Sequence, residues 1–204
     1  MLGWYANKLA IRRHLEELNK DKQVLEYCLF QPGSYMNFLG YPHKTTKHSG
    51  IIKFLFDYEN LRALVVEGSL DGDVTFTTVG DIANIVALAV GYEGTWPTVG
   101  GITGQRITVR ELLGLAESVR GKPFAIDWLK KEDLERGELK TDNYIRVDLP
   151  SIPKDQLEHF SKAATEGLLL SSSRGAWTVT DEWNQIFPEY KFTKVEEFLR
   201  GLFN

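Results

Sequence analysis

The segment Val24–Phe30 constrains the fold of this chain more than any other. It is apolar almost throughout, with Glu26 as the charged exception. Strands that are buried on both faces have such continuous hydrophobic sequences, and they occur mostly in parallel sheets. Pro32 and Gly33 follow, and this pair favours a turn. We therefore expect a buried strand of a parallel sheet that ends in a loop.

Helical and β-rich segments alternate through the first half of the chain, which favours an α/β fold. A first helix is predicted over about Trp4–Leu18. Leu61–Val66 and Val74–Thr78 are predicted strands, and the Asp-Gly turn between them predicts a β-hairpin. The second half is more helical and is predicted to form a lobe on the end of the sheet. The other predicted elements are strands at about Trp96–Thr103 and Pro123–Leu129 and helices at about Thr78–Val90, Val109–Arg120, Lys130–Leu139, Lys154–Gly167, Asp181–Phe187 and Thr193–Phe203.

Helix ends are marked by their own residue types. Thr78 with Asp81 three residues later resembles a capping box in which Asp replaces the usual Glu. Thr108 is predicted to cap the next long helix, and Gly121 is predicted to end it in the left-handed conformation. We interpret all three features as structural.

Lys8 lies within an apolar stripe of the first predicted helix. Trp4, Ile11, Leu15 and Leu18 recur at helical spacing and should face a core. Lysine is rarely buried without a partner, so Lys8 either extends to solvent at the helix start or points at an anionic or hydroxylated group. The sequence leaves both alternatives open.

Composition excludes several classes of function. The chain has 204 residues and a net charge of −4, with no basic patch for nucleic acid. Its single cysteine, Cys28, cannot form an internal disulfide, so a reducing compartment is expected for the protein. The Cys28 side chain is predicted to be a small buried hydrophobe in a strand. The four histidines are scattered and predict no metal site. No membrane span or signal peptide is predicted, so we expect a cytoplasmic protein.

Five segments in order resemble the NmrA-like and isoflavone-reductase-like proteins, an atypical branch of the short-chain dehydrogenase superfamily. The first is Lys8–Arg13, which is similar to the family's lysine helix, and the second is Phe30–Phe38, which is similar to its strand, proline-glycine turn and aromatic segment. Val79–Ala83 resembles the Asp-Ile-Ala helix start. The remaining two are Gly104–Leu112 and the tail Trp183–Leu199, which is similar to the ending of fungal members.

The resemblance implies a cofactor, a substrate and residues for both. It implies NADP(H) as the cofactor and a small, aromatic substrate. Lys8 would approach the nicotinamide ribose and assist proton transfer as the catalytic residue. The loop residues Pro32, Gly33, Ser34, Tyr35 and Met36 would lie along the nicotinamide, and Tyr35, Phe38 and Tyr41 would line the substrate side.

The sequence departs from the family pattern in three respects. Short-chain dehydrogenases have a tyrosine four residues before the lysine, where this chain has Trp4, and Tyr5 is rotated about 60° from Lys8 on a helix. Gln31 stands where many members have arginine. No Gly-x-Gly-x-x-Gly or Gly-x-x-Gly-x-x-Gly spacing is found for a pyrophosphate.

The resemblance also implies an incomplete Rossmann-type sheet. Residues 1–95 correspond to the C-terminal half of the dinucleotide-binding domain, and residues 96–204 to a mostly helical substrate lobe interleaved with it. From this we expect a truncated form that binds NADPH weakly and is marginally stable alone. Three functions remain open: an NADPH-dependent reductase, a non-catalytic NADP(H)-sensing regulator with a protein partner or as a homo-oligomer, and a fragment without a ligand.

Overall fold

The fold is described from a computed structural model for residues 5–47, 50, 52–146 and 152–203. Trp4, which the sequence analysis named, lies outside these residues, as does one of the four histidines, His48. The described helices are α1 (Ala6–Leu18), α2 (Val79–Val90), α3 (Val109–Arg120), α4 (Lys131–Glu135), α5 (Leu157–Ser173), α6 (Glu182–Ile186), α7 (Val195–Phe203) and 3-10 turns at Met36–Gly40 and Lys154–Gln156. The described strands are β1 (Leu29–Gln31), β2 (Ser34–Tyr35), β3 (Phe56–Asp57), β4 (Arg62–Val66), β5 (Asp73–Thr77), β6 (Val99–Gly101), β7 (Gln105–Thr108) and β8 (Ala125–Leu129).

The described strands form one small parallel sheet and two small mixed sheets, which confirms the predicted α/β class. β1 pairs in parallel with β6, and β5 lies between a parallel β2 and an antiparallel β7. β4 lies between an antiparallel β3 and a parallel β8. Each sheet therefore joins strands that are far apart in the sequence.

The predicted hairpin of β4 and β5 is wrong. The turn exists, with Ser69 N–H donating to Val66 O and Gly72 N–H to Ser69 O. However, the two strands enter different sheets. β4 is buried on both faces from Ala63 to Val66. Because a hairpin of a small sheet commonly leaves one face in water, this burial requires partners from elsewhere in the chain.

Two hydrophobic clusters hold the elements together. The main cluster packs the β4 sheet and β5 against α3, α5 and α7, with Tyr58, Phe76 and Leu112 fully buried in it. The smaller cluster joins α2, β6 and α6 around the fully buried Trp183. The Trp183 ring stacks on Phe30 and Phe187 at centroid distances of 5.4 and 5.7 Å.

The helix caps agree with the sequence patterns, with one difference. Thr108 and Glu111 form a complete capping box, and Gly121 ends α3 at φ +70°. Thr78 caps α2 by accepting from Asp81 N–H at 3.0 Å. The Asp81 carboxylate accepts from the Thr78 hydroxyl at 2.7 Å and does not form the reciprocal bond to the cap backbone.

The first thirty residues are more exposed than their sequence predicts. Only the end of the predicted strand Val24–Phe30 is paired, as β1, while Val24 is 65% exposed. α1 forms where it is predicted, but it contains no buried residue, and Ile11 is 59% exposed. The prediction that its stripe faces a core is therefore wrong for the described residues, because no other described element covers that face.

Two further kinds of feature are absent from the described residues. No described helix is both long and apolar enough to cross a bilayer. No group of histidine, cysteine and acidic side chains among the same residues is arranged to hold a metal ion.

Candidate functional site

The candidate site is the loop that follows β1. Gln31 ends β1, and its carbonyl accepts from Ile102 N–H at 3.0 Å, just beyond the parallel partner β6. Gly33 then turns the chain at φ +69°, a conformation that suits glycine. A Cβ on Gly33 would lie 2.5 Å from Thr75 O. The glycine therefore allows the loop backbone to lie against β5.

The loop continues along β5 to the start of α2. Ser34 and Tyr35 pair in parallel with Phe76 and Thr77. Asn37 Oδ1 then accepts from the backbone N–H of Val79 at 2.8 Å, and its Nδ2 donates to Thr45 Oγ1 at 2.9 Å. The loop is thus fixed at the carboxyl ends of β1, β2 and β5, which is where open α/β sheets bind ligands.

Asn37 is a residue of this site that the sequence analysis did not single out. The only signal was its position in the segment Phe30–Phe38, since its bond to Val79 spans 42 residues of sequence. Its role is to hold the loop on α2, and both ends of its side-chain amide are used for this.

The aromatic side chains of the loop differ in exposure. Tyr35 is 40% exposed and contacts the half-buried Phe38 at a centroid distance of 5.5 Å. Phe38 in turn packs on Phe54 at 5.4 Å, which connects the loop to the main cluster. Tyr41 is half-buried. An aromatic molecule at this edge would find the Tyr35 ring accessible and supported from behind.

Met36 and Lys8 occupy contrasting positions. Met36 is fully buried in the main cluster, so it supports the loop from inside. Lys8 is exposed on α1, and its Nζ lies 5.3 Å from the centroid of the Tyr5 ring. No ion pair or hydrogen bond of Lys8 to another described residue is found. The structure therefore joins the loop residues to one another, and no contact joins them to Lys8.

A buried carboxylate beside the loop anchors the C-terminal tail. The Asp81 carboxylate accepts from the Tyr190 hydroxyl at 2.8 Å and from Thr193 N–H at 3.2 Å, in addition to Thr78. Asn84 donates to the Tyr190 oxygen at 3.0 Å. Burial, more than its other contacts, raises the pKa of Tyr190. Because Asp81 is fully partnered, it acts as a structural clamp at the start of α2.

Comparison with known proteins supports the resemblance at the level of the fold. The structure of isoflavone reductase matches 95% of this chain with a TM-score of 0.61 at 14% identity. The NADPH complex of leucoanthocyanidin reductase from Vitis vinifera matches 97% with a TM-score of 0.60 at 14% identity. The NADPH complex of a quinone oxidoreductase from Escherichia coli matches 94% with a TM-score of 0.57 at 16% identity. The chain covers 56–58% of those three chains.

Sequence comparison gives one distant relative and no family model that matches. An oxidoreductase of Metarhizium robertsii is 25% identical over 194 residues, which are 91% of this chain and 54% of that protein. The chain thus spans about half the length of the curated relative that it matches and of the solved structures that share its fold.

Proposed function

Because the chain has the fold of the isoflavone-reductase-like proteins, we propose that it forms the substrate-side part of an NADPH-dependent reductase for small aromatic compounds. The observation that carries this proposal is the loop at the carboxyl ends of β1, β2 and β5, with its accessible Tyr35 ring. Solved proteins of the same fold include NADPH complexes and a complex with NADP+ and pinoresinol.

The residues present fit the nicotinamide end of the cofactor. NADPH supplies the hydride when it is bound. Pro32, Gly33 and Ser34 offer a loop backbone at the ligand-binding edge, and Tyr35 offers a ring face for stacking. Phe38 and Tyr41 extend the aromatic surface toward the substrate, and Met36 holds the loop from the core. The pyrophosphate is assigned to none of these residues, because they contain no glycine-rich turn of the required spacing.

Lys8 is proposed as the residue that holds or delivers a proton. Its ammonium is exposed and has no carboxylate partner among the described residues, so it is free to bond a hydroxyl or a substrate oxygen. The Lys8 ammonium lies over the face of the Tyr5 ring. In a tyrosine–lysine proton-transfer pair, the lysine would instead interact with the tyrosine hydroxyl. That observation favours a second candidate function, a cofactor-sensing protein without catalysis.

The experiment is a titration of the chain with NADPH, followed by NADPH oxidation with pinoresinol or a quinone. We expect saturable binding that weakens in Tyr35→Ala, and turnover that Lys8→Ala abolishes without loss of binding. Lys22→Ala is the matched control, because Lys22 is also an exposed lysine near the end of α1. Binding without turnover would support the sensing protein, and absence of binding at millimolar NADPH would refute both functions for this chain.

A further inference from the structure

A second concave site lies at the carboxyl ends of the parallel strands β4 and β8. Its volume is about 240 Å³, below the roughly 300–1,000 Å³ of pockets for drug-sized ligands. Glu67 follows β4 directly, Lys130 follows β8, and Leu134 of α4 closes one wall. None of its lining residues belongs to the loop after β1 or to the sheets that position that loop.

The strand register places three of these side chains on one face. Val65 is opposite Trp128 and Val66 is opposite Leu129, and Glu67 N–H donates to Leu129 O at 2.9 Å. Because side chains alternate along a strand, Glu67, Trp128 and Lys130 share a face at this edge. Trp128 is 46% exposed there, which is unusual for so large an apolar side chain.

Some charged side chains of the site form ion pairs and others do not. Asp133 pairs with Arg136 and with Lys140, the latter at 2.8 Å, and Glu138 pairs with Arg136 at 3.2 Å. These four residues therefore neutralise one another at the wall. Glu67 and Lys130 have no ion-pair partner among the described residues, although both line the site. One carboxylate and one ammonium without an ion-pair partner among the described residues thus line the same cavity as an exposed indole ring.

We propose that this site binds a free amino acid with an aromatic side chain. Glu67 would accept from the ligand ammonium and Lys130 would donate to its carboxylate, while the ligand ring stacks on Trp128 and contacts Leu134. A simple anion would be repelled by Glu67, and a simple cation by Lys130. The carboxylates that could attract a metal ion are already paired with Arg136 and Lys140.

Calorimetric titration of the chain without NADPH tests the proposal. The probes are phenylalanine, phenethylamine, which lacks the carboxylate, and phenylpropionate, which lacks the ammonium. We expect phenylalanine to bind about tenfold more tightly than either analogue, because each analogue leaves one charge of the site unpaired. Weaker binding of alanine would show the contribution of the ring.

Matched variants assign the binding to this site. Lys130→Gln should remove the preference for phenylalanine over phenethylamine, and Glu67→Gln its preference over phenylpropionate. Lys131→Gln and Glu132→Gln are the controls, since these residues are exposed neighbours on α4 that do not line the site. No saturable binding, equal binding of the three probes, or no effect of the two variants would overturn the proposal. The first outcome is also expected if Glu67 and Lys130 only pair with each other in solution.

Discussion

At the scale of single residues, the clamp around Asp81 links the C-terminal tail to α2. Tyr190→Phe removes one of three hydrogen bonds to a carboxylate that is 5% exposed. We expect it to lower the free energy of unfolding by about 1–2 kcal/mol in urea denaturation. Asn84→Ala is the control, because it removes only the exposed bond to the Tyr190 oxygen and should cost about 0.5 kcal/mol or less. An equal cost of both variants would contradict the clamp.

The same tyrosine predicts a pH dependence. Burial raises the pKa of Tyr190 in the folded state, so folding favours the protonated phenol. Its stabilising effect is complete below the pKa of an unfolded tyrosine, about 10, and is lost as the pH rises through the folded value. Urea denaturation at increasing alkaline pH should therefore show a smaller loss of stability in Tyr190→Phe than in the wild type.

Gly33 is the residue on which the position of the loop depends. Gly33→Ala would force an alanine to φ +69° and place its Cβ against Thr75 O. Gly68→Ala is a matched control, since Gly68 has φ +78° but no atom within 4 Å of the added Cβ. Thermal denaturation should show that Gly68→Ala lowers the free energy of unfolding by about 1 kcal/mol and that Gly33→Ala lowers it distinctly more. Equal costs would mean that the close approach to β5 is unimportant.

At the scale of elements, local signals predicted the structure well. The threonine, glutamate and glycine at the ends of α3 act within a few residues of each other, and the helix follows them. β4 and β5 were also found as strands. Their partners are not predicted, because β4 pairs with the distant β8, with Arg62 opposite Ala125, and the side-chain bond from Arg62 to Asp127 spans 65 positions. Propensity gives no information about such a pairing, so a short polar turn was mistaken for a hairpin.

The candidate site shows the same division. The sequence predicts the proline-glycine turn and its aromatic residues, and the structure places them at the carboxyl ends of β1, β2 and β5. The anchoring of that loop by Asn37, and of the tail by Asp81, depends on bonds across 42 and 109 residues. The hydrophobic run Val24–Phe30 predicted burial that only a neighbouring element could provide. A sequence pattern indicates that a face is apolar, but it does not indicate which part of the molecule covers that face.

At the scale of the whole molecule, burial is distributed unevenly, and local stability should follow it. α3 buries Val109, Leu112, Ala116 and Val119 in the main cluster. α1 has a similar length but buries nothing, its N-terminal residue makes no side-chain cap, and its first turn has no acidic residue. A helix of this length without packing is marginal in water. The molecule should therefore combine a stable core with an N-terminal helix that opens independently.

Native-state hydrogen exchange tests this expectation. Amides of α1 should exchange through local opening, at least a hundredfold faster than those of α3. Exchange of the α3 amides should require global unfolding, so its rate should increase with urea as global stability falls. Ile11→Ser should leave global stability within about 0.5 kcal/mol, whereas Leu112→Ser, the buried counterpart in α3, should destabilise the protein by several kcal/mol. Equal protection of both helices would contradict the prediction. It would show that the apolar stripe of α1 is covered in solution, and a dependence of that protection on protein concentration would identify self-association as the cause.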